Sequence, residues 1–326
     1  KSSNIEVLDI GCNDGTLLNF YKKNFKKYGV DPSQIVQKID KKKINVFNDF
    51  FPFQKNENKN FKKKFDLITS IAMFYDLDNP NLFVNKIKFH LKDNGIWIFE
   101  LSYLIDMLRL NSFDTICHEH LEYYSLHSLN FLMKKHELKI FKIMRNNING
   151  GSIRCFVTHT KNSIYDTKIN NKIINKMVNY EKKLKIKKTS IYKIFNKKII
   201  KLKIKLNKKI SIIRKQNKKI FILGASTKGN TILQFIGIDN KIIPYAIERN
   251  IEKIGALTIG SKIKIISEEY TKKYQPEYKL VLPWHFKSEI IKRESNYIKK
   301  GGKLIFPLPQ LLTIDKNNLK KYKKEK

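Results

Sequence analysis

Two of the seven histidines, a cysteine and three acids fall within the run Asn111-Ser112-Phe113-Asp114-Thr115-Ile116-Cys117-His118-Glu119-His120-Leu121-Glu122-Tyr123-Tyr124-Ser125. Histidine, with an ordinary pKa of about 6.5, exchanges protons near neutrality, so this cluster suits proton transfer beside a reacting carbon or oxygen. A metal site built from Cys117, His118, His120 and His127 is a second reading, but the run lacks helical His spacing and a further ligand pair, so no metal is expected in this chain. A third is a His120 that only hydrogen-bonds within its loop. In an extended stretch alternate residues point to opposite sides. His118 therefore reads as structural where His120 is presented to a ligand, and Cys117 reads as packing.

The elements that must position this run precede it. Residues 5 to 160 alternate short apolar runs with helical patterns, the signature of a parallel sheet with crossover helices, and the chain is read as α/β. Seven strands are expected, at Ile5 to Ile10, Lys27 to Val30, Ile44 to Phe47, Phe65 to Ser70, Ile96 to Leu101, Leu138 to Met144 and Gly151 to His159. Five belong to strand-helix units, and the last two form an antiparallel hairpin about Asn149 and Gly150 that closes one edge. The His-rich run follows the fifth strand. Apolar residues from Ile174 to Ile213 then recur at helical spacing, interrupted by Glu181 and Lys188, and predict long helices with lysines on the wet face. A second, smaller doubly wound unit starts at Lys219, with strands at Ile220 to Leu223, Pro244 to Glu248, Tyr278 to Leu282 and Lys303 to Phe306 and a helix over Lys287 to Lys299. The expected divisions are residues 1–160, a basic helical connector at 161–218, a second domain at 219–315 and a basic tail at 316–326.

The first strand carries a ligand signal. It runs through Asp9 into Gly11-Cys12-Asn13-Asp14-Gly15-Thr16, where small residues let backbone approach a ligand. A pyrophosphate loop more often reads Gly-x-Gly-x-x-Gly; here an acid ends the strand and only Gly11 and Gly15 are present, which suits a cationic ligand. Asp31, at the tip of the second strand, can accept both hydroxyls of a ribose. Asp49 and Phe50 follow the third strand similarly, and Ala72 and Tyr75 follow the fourth. Together these positions describe a nucleoside with a positively charged tail, S-adenosylmethionine. The bland alternative is a generic nucleotide loop with solvated carboxylates.

The formal charge is +37, which ordinarily points to nucleic acid or a membrane surface. About half of the excess lies in residues 161–220, and it is lysine, with arginine only at Arg109, Arg145, Arg154, Arg214, Arg249 and Arg293. Scarce arginine, the better phosphate fork, argues for a solvated lysine surface over a nucleic-acid partner. Cys12, Cys117 and Cys155 are few and scattered, so no disulfide framework is expected; no apolar run has the length of a membrane span; the expected location is cytoplasmic. The abrupt start at Lys1 suggests sequence upstream.

Several segments in order resemble the sugar-nucleotide C-methyltransferases, which act on keto-deoxysugars in antibiotic and surface-polysaccharide pathways. They are Gly11-Cys12-Asn13-Asp14-Gly15-Thr16-Leu17-Leu18, Phe99-Glu100-Leu101-Ser102-Tyr103-Leu104, Asp114-Thr115-Ile116-Cys117-His118-Glu119-His120, Asn149-Gly150-Gly151-Ser152-Ile153-Arg154, Leu223-Gly224-Ala225-Ser226-Thr227-Lys228-Gly229-Asn230-Thr231 and Leu282-Pro283-Trp284-His285. The resemblance implies a seven-stranded Rossmann-like methyltransferase domain with a second Rossmann-like domain, and transfer of a methyl from S-adenosylmethionine to a carbon beside a ketone of a nucleotide-linked sugar. It implies His120 as the base, with Glu119 orienting it or holding a sugar hydroxyl. Sugar contacts are expected at Tyr75, Cys117, Tyr123, Asn149 and Gly150, and nucleotide contacts at Lys228, Arg249 and Asn250 near Glu248. The family often has tyrosine where Cys117 stands and histidine where Asn149 stands. Its members usually carry a cysteine-rich zinc domain before the first strand, so zinc is expected only upstream of this chain. An RNA or other small-molecule methyltransferase, or a non-catalytic module of the same fold, are the rival expectations.

Overall fold

The computed structural model describes residues 5–323. Strands β1 (Glu6–Ile10), β2 (Lys26–Val30), β3 (Asn45–Phe47), β4 (Phe65–Ile71), β5 (Leu91–Ser102), β6 (Leu138–Asn146) and β7 (Ser152–His159) form one sheet in the order β3-β2-β1-β4-β5-β7-β6. All pairings are parallel except those of β7, which runs antiparallel to both β5 and β6. The hairpin thus closes one edge, as the Asn149-Gly150 turn predicts. Central strands are buried on both faces, and β1 is buried from Val7 to Ile10 even though Asp9 interrupts its apolar residues; Trp97, Phe99, Phe74 and Phe83 fill the space beneath the strands.

The crossovers are less helical than the sequence pattern predicts. Helix α1 (Thr16–Phe20) is a single turn, β2 is followed by a 3-10 segment at Gln34–Lys38, and β3 by the four-residue α2 (Asn56–Lys59). Short turns bring the strand ends close together here. Gly29 shows the packing: a Cβ on it would lie 2.7 Å from Cys12 Sγ, so the glycine lets the turn after β1 fold against β2. Longer helices follow, α3 (Pro80–His90), capped by Asn79 with Pro80 in its first turn, α4 (Leu104–Leu110) and α5 (Leu126–Lys135). β5 starts at Leu91, five residues before the expected Ile96, because α3 passes into it directly.

The connector is two helices, α6 (Lys168–Lys183) and α7 (Thr189–Lys215). The second sheet contains β8 (Ile220–Leu223), β9 (Tyr245–Glu248), β10 (Lys264–Ser267), β11 (Tyr278–Val281), β12 (Lys303–Phe306) and β13 (Leu312–Ile314), in the order β10-β9-β8-β11-β12-β13 with only β13 antiparallel. Helix α8 (Thr227–Ile236) follows β8, capped by Ser226 on Gly229 N. β10 and β13 were not expected from sequence, and the helix over Lys287 to Lys299 is broken into Lys287–Arg293 and Ser295–Lys299.

The two compact units are not contiguous in sequence. One comprises residues 1–105 and 119–186, the other residues 106–118 and 187–326. They depart from divisions at 160 and 218: α6 packs with the first sheet and α7 with the second, and the His-rich run is divided, Asn111 to His118 in one unit and Glu119 to Ser125 in the other. No described helix is long and apolar enough to cross a membrane.

Candidate active site

The order of the first sheet reverses between β1 and β4, which opens the crevice where doubly wound sheets take their ligands. Gly11 enters it with φ +74°, a conformation that favours glycine, and its amide donates to the Val30 carbonyl at 2.8 Å. A Cβ there would press on Met73 at 3.3 Å. Gly15 and Asn13 also have positive φ. Asp31 orders the loop as well as ending β2: Oδ2 accepts the Asn13 amide at 2.9 Å, and Oδ1 accepts the Ser33 amide and hydroxyl. Ala72, at φ +57°, donates its amide to Glu100 O at the end of β4. Phe50 is exposed, an aromatic face beside this loop set.

Asp9 and Asp49 depart from the sequence expectation. Asp49 is buried, and its carboxylate accepts from the amides of Phe50, Gln54 and Lys55 and from Asn58 Nδ2. Burial alone would raise its pKa, but these four bonds hold it below the usual carboxylate range. Asp49 therefore builds its own loop and has no free face for a ligand. Asp9 is also buried, with one bond from the Thr69 hydroxyl, and burial, reinforced by Asp31, raises its carboxyl to about 7 despite that bond. A carboxyl poised there is neutral in mild acid and anionic above neutrality. If it faces a cationic ligand, affinity rises with pH and levels off above about 7, losing up to about tenfold per unit below it; Asp9→Asn removes that slope. The sign for the ligand-free protein is opposite. A raised folded-state pKa stabilises in acid, and that contribution is lost as pH rises through about 7. Calorimetric titration of S-adenosylmethionine from pH 5.5 to 8.5 measures the first effect, and thermal unfolding the second.

His120 is half-buried, its ring 4.4 Å from that of Tyr75, centroid to centroid, at an interplanar angle of 55°. Tyr75 is buried at the carboxyl end of β4, and its carbonyl accepts the amides of Leu121 and Glu122, at 2.9 and 3.0 Å. So the Tyr75 carbonyl seats the His120 loop. Glu119 is exposed; partial burial, reinforced by the Glu119 charge, raises the neighbouring Asp76 to about 6. Asp76 thereby joins the acidic surroundings of His120, unforeseen from sequence because a single acid after a strand carries no pattern. Tyr123 is half-buried; Tyr124 is buried, and its phenol is pushed far up by burial. Gly150 is buried in the turn before β7 with φ +87°, and the Asn149 side chain lies outside what is described. Beside it, Arg154 Nε binds the buried Glu100 at 2.7 Å, a pair across β5 and β7 within two of the resemblance segments.

In the second unit Lys228 and Arg249 are separated. Lys228, in the first turn of α8, is half-buried; burial lowers its pKa, opposed by Asp114 and Cys117. Asp114 is almost wholly buried, its carboxyl raised by burial and lowered by the Trp284 Nε1 bond of 2.8 Å and by Lys228. His285 completes the group, held down at about 4 by burial and by Lys228, so it is neutral at physiological pH. Arg249 instead lies with Glu248, Glu268 and Arg293 along a cavity of about 360 Å³ at the carboxyl ends of β8, β9 and β11. Glu248 accepts the amides of Ala225, Arg249 and Asn250, which hold it below the usual carboxylate range against burial. Asn250 caps the next turn through Glu252 N, a local role where sequence suggested a nucleotide contact. Trp284→Phe removes the Nε1 hydrogen bond to the buried Asp114 carboxyl group, and it should cost about 1–3 kcal/mol of second-unit stability in urea unfolding.

Among the described residues no three His, Cys, Asp or Glu side chains form a group that could hold a metal ion. Comparison with known proteins matches residues 147–309 to the C-methyltransferase C-terminal domain, half of the chain, and residues 1–143 to a methyltransferase domain. The chain belongs to the C-methyltransferase family. The C-methyltransferase NovU of Streptomyces niveus is 25% identical over 307 residues, 93% of this chain and 72% of that protein. Among solved structures, a S-adenosylmethionine-dependent methyltransferase from Clostridium acetobutylicum ATCC 824 is similar at 16% identity, over 48% of this chain and 85% of that one, with a TM-score of 0.38. A ribosomal protein L11 methylase from Lactobacillus delbrueckii subsp. bulgaricus is similar at 15% identity, over 48% and 71%, with a TM-score of 0.34. A C-methyltransferase must make a carbon nucleophilic, and in this chain the ring of His120 lies against Tyr75, just beyond the carboxyl end of β4.

Proposed function

We propose that this C-methyltransferase methylates a carbon next to the ketone of a nucleotide-linked sugar, with His120 as the base. The observation that carries the reading is the seating of His120 on Tyr75, at the end of β4, in a loop pinned by two amide bonds to the Tyr75 carbonyl. A carbon α to a ketone is not nucleophilic until its proton is removed, which needs a base near neutrality held at a fixed place. His120 takes that proton, and Glu119 orients the imidazole or holds a sugar hydroxyl. S-adenosylmethionine, when bound, supplies an electrophilic methyl group. Gly11, Asn13 and Asp31 hold it in the crevice between β1 and β4, with Asp31 on the ribose, Asp9 beneath its charge and Phe50 against its base. The glycine-lined turn and the buried acid are what a nucleoside with a cationic tail requires. Arg249 is assigned to the nucleotide phosphates, because it lines the crevice where the second sheet reverses its strand order.

The test is incubation with methyl-labelled S-adenosylmethionine and a panel of 4-keto nucleotide sugars. Label should enter carbon, resist mild acid and base, and be absent from sugars reduced at the ketone. Equal labelling of the reduced sugars, or transfer only to RNA, would overturn the substrate class. Arg249→Ala should raise KM for the nucleotide sugar about tenfold or more while sparing cofactor affinity, as loss of one charged hydrogen-bonding contact does.

A further inference from the structure

Helix α6 buries the wrong kind of residue. Its isoleucines Ile169 and Ile173 remain exposed, at 73% and 43%, while its one acid, Glu181, is 1% exposed. Burying a charge and exposing hydrocarbon inverts the usual preference, so the acid's partners must explain its place. There are three. The carboxylate accepts the Tyr103 hydroxyl at 2.6 Å, the Leu126 amide at 2.7 Å and the His127 amide at 2.8 Å. Leu126 and His127 open α5, and the next amide, Ser128, is taken by the Ser125 side chain. The first three free amides of α5 are thus satisfied from side chains, two of them by an anion from a helix more than fifty residues away in sequence, where the helix dipole favours negative charge.

We propose that Glu181 is a positioning residue for methyl transfer, fixing the segment that carries Glu119 and His120 from its carboxyl side. That segment is tied at three places within a few residues: Leu121 and Glu122 to the Tyr75 carbonyl, the Tyr124 carbonyl to Leu104 N, and Leu126 and His127 to Glu181. Tyr103, at the end of β5, ties the same carboxylate back to the first sheet. These successive ties, all on the carboxyl side of His120, leave it little freedom to swing away from Tyr75. A glutamine at 181 keeps the shape and one good acceptor but turns an amide N–H₂ toward one of its donors, and it removes the charge at the helix start. This role rests on the assignment of His120 as base.

The experiment uses the full chain with Glu181→Gln, Glu181→Ala, Tyr103→Phe and His120→Ala. Hydrogen–deuterium exchange should quicken in peptides covering residues 119–128 in both Glu181 variants, with β1, β4 and β5 unchanged. Affinity for S-adenosylmethionine should stay within about twofold, while kcat on the 4-keto nucleotide sugar best used by the wild type falls about tenfold or more and KM changes little. Tyr103→Phe should show the same pattern more weakly. If His120→Ala is inactive but the Glu181 variants keep wild-type exchange or kcat, the positioning role is overturned and the base assignment stands. If cofactor affinity falls in step with kcat, Glu181 merely supports the fold and the role is overturned. Full turnover in His120→Ala overturns the base assignment instead.

Discussion

His120→Ala should bind S-adenosylmethionine as the wild type does and lose methyl transfer by ~10²–10⁴-fold, the usual worth of a positioned general base. The separation of the two readouts follows from the structure. His120 touches the Tyr75 ring, whereas the loop proposed to hold the cofactor is fixed by Val30, Asp31 and its own turns. His120→Asn keeps a polar side chain of similar size without a nitrogen basic enough to take the proton, so it should be as inactive as alanine. Equilibrium binding and single-turnover transfer from labelled cofactor measure the two quantities separately. Wild-type rates in both variants would assign proton removal elsewhere, with Asp76, raised to about 6, the next group to replace.

Asp31→Ala should produce the complementary failure, loss of cofactor affinity by ~10²–10⁴-fold with the protein still folded. The carboxylate does two things in the proposed site. It already orders Asn13 and Ser33 through three bonds, and it is assigned the ribose hydroxyls. Charged hydrogen bonds are each worth about 1.5–3 kcal/mol, so losing two to ribose gives that range before the disorder of the loop is added. Asp31→Asn keeps some acceptor capacity and should fall between. Calorimetry at fixed pH reads the affinity, and an unchanged melting temperature shows that the fold survives; an unaltered affinity would place the ribose on other groups.

Much of the first sheet was legible because its strands are short, apolar and separated by turn residues, and the Asn149-Gly150 hairpin declared itself by composition. β10 and β13 were not, since four or three residues flanked by lysine or by proline leave too little pattern to distinguish a strand from a loop. At the site, Gly11 and Asp31 could be read because turn geometry and strand-end position are local properties. Asp49 shows the limit: its place in the order of strand ends is right, yet four donors within nine residues consume it, and sequence does not reveal which acceptors are already engaged. Glu181 is the converse case. Among lysines it reads as a solvated counter-charge, and only partners at positions 103, 126 and 127 reveal a buried anchor.

The alternation of the chain between its two units bears on how such a protein can be inherited. Residues 106–118 belong with 187–326, so the second unit is encoded in two pieces with most of the hairpin edge of the first unit written between them. A single crossover in the gene cannot exchange that unit alone, without residues 119–186 of the first. A recombinant joined near residue 187 would keep one parent's Asp114 and receive the other's Trp284 and Lys228. New specificities in this lineage should therefore arise by substitutions within an intact gene, and chimaeras should function only when the short insert travels with the long one.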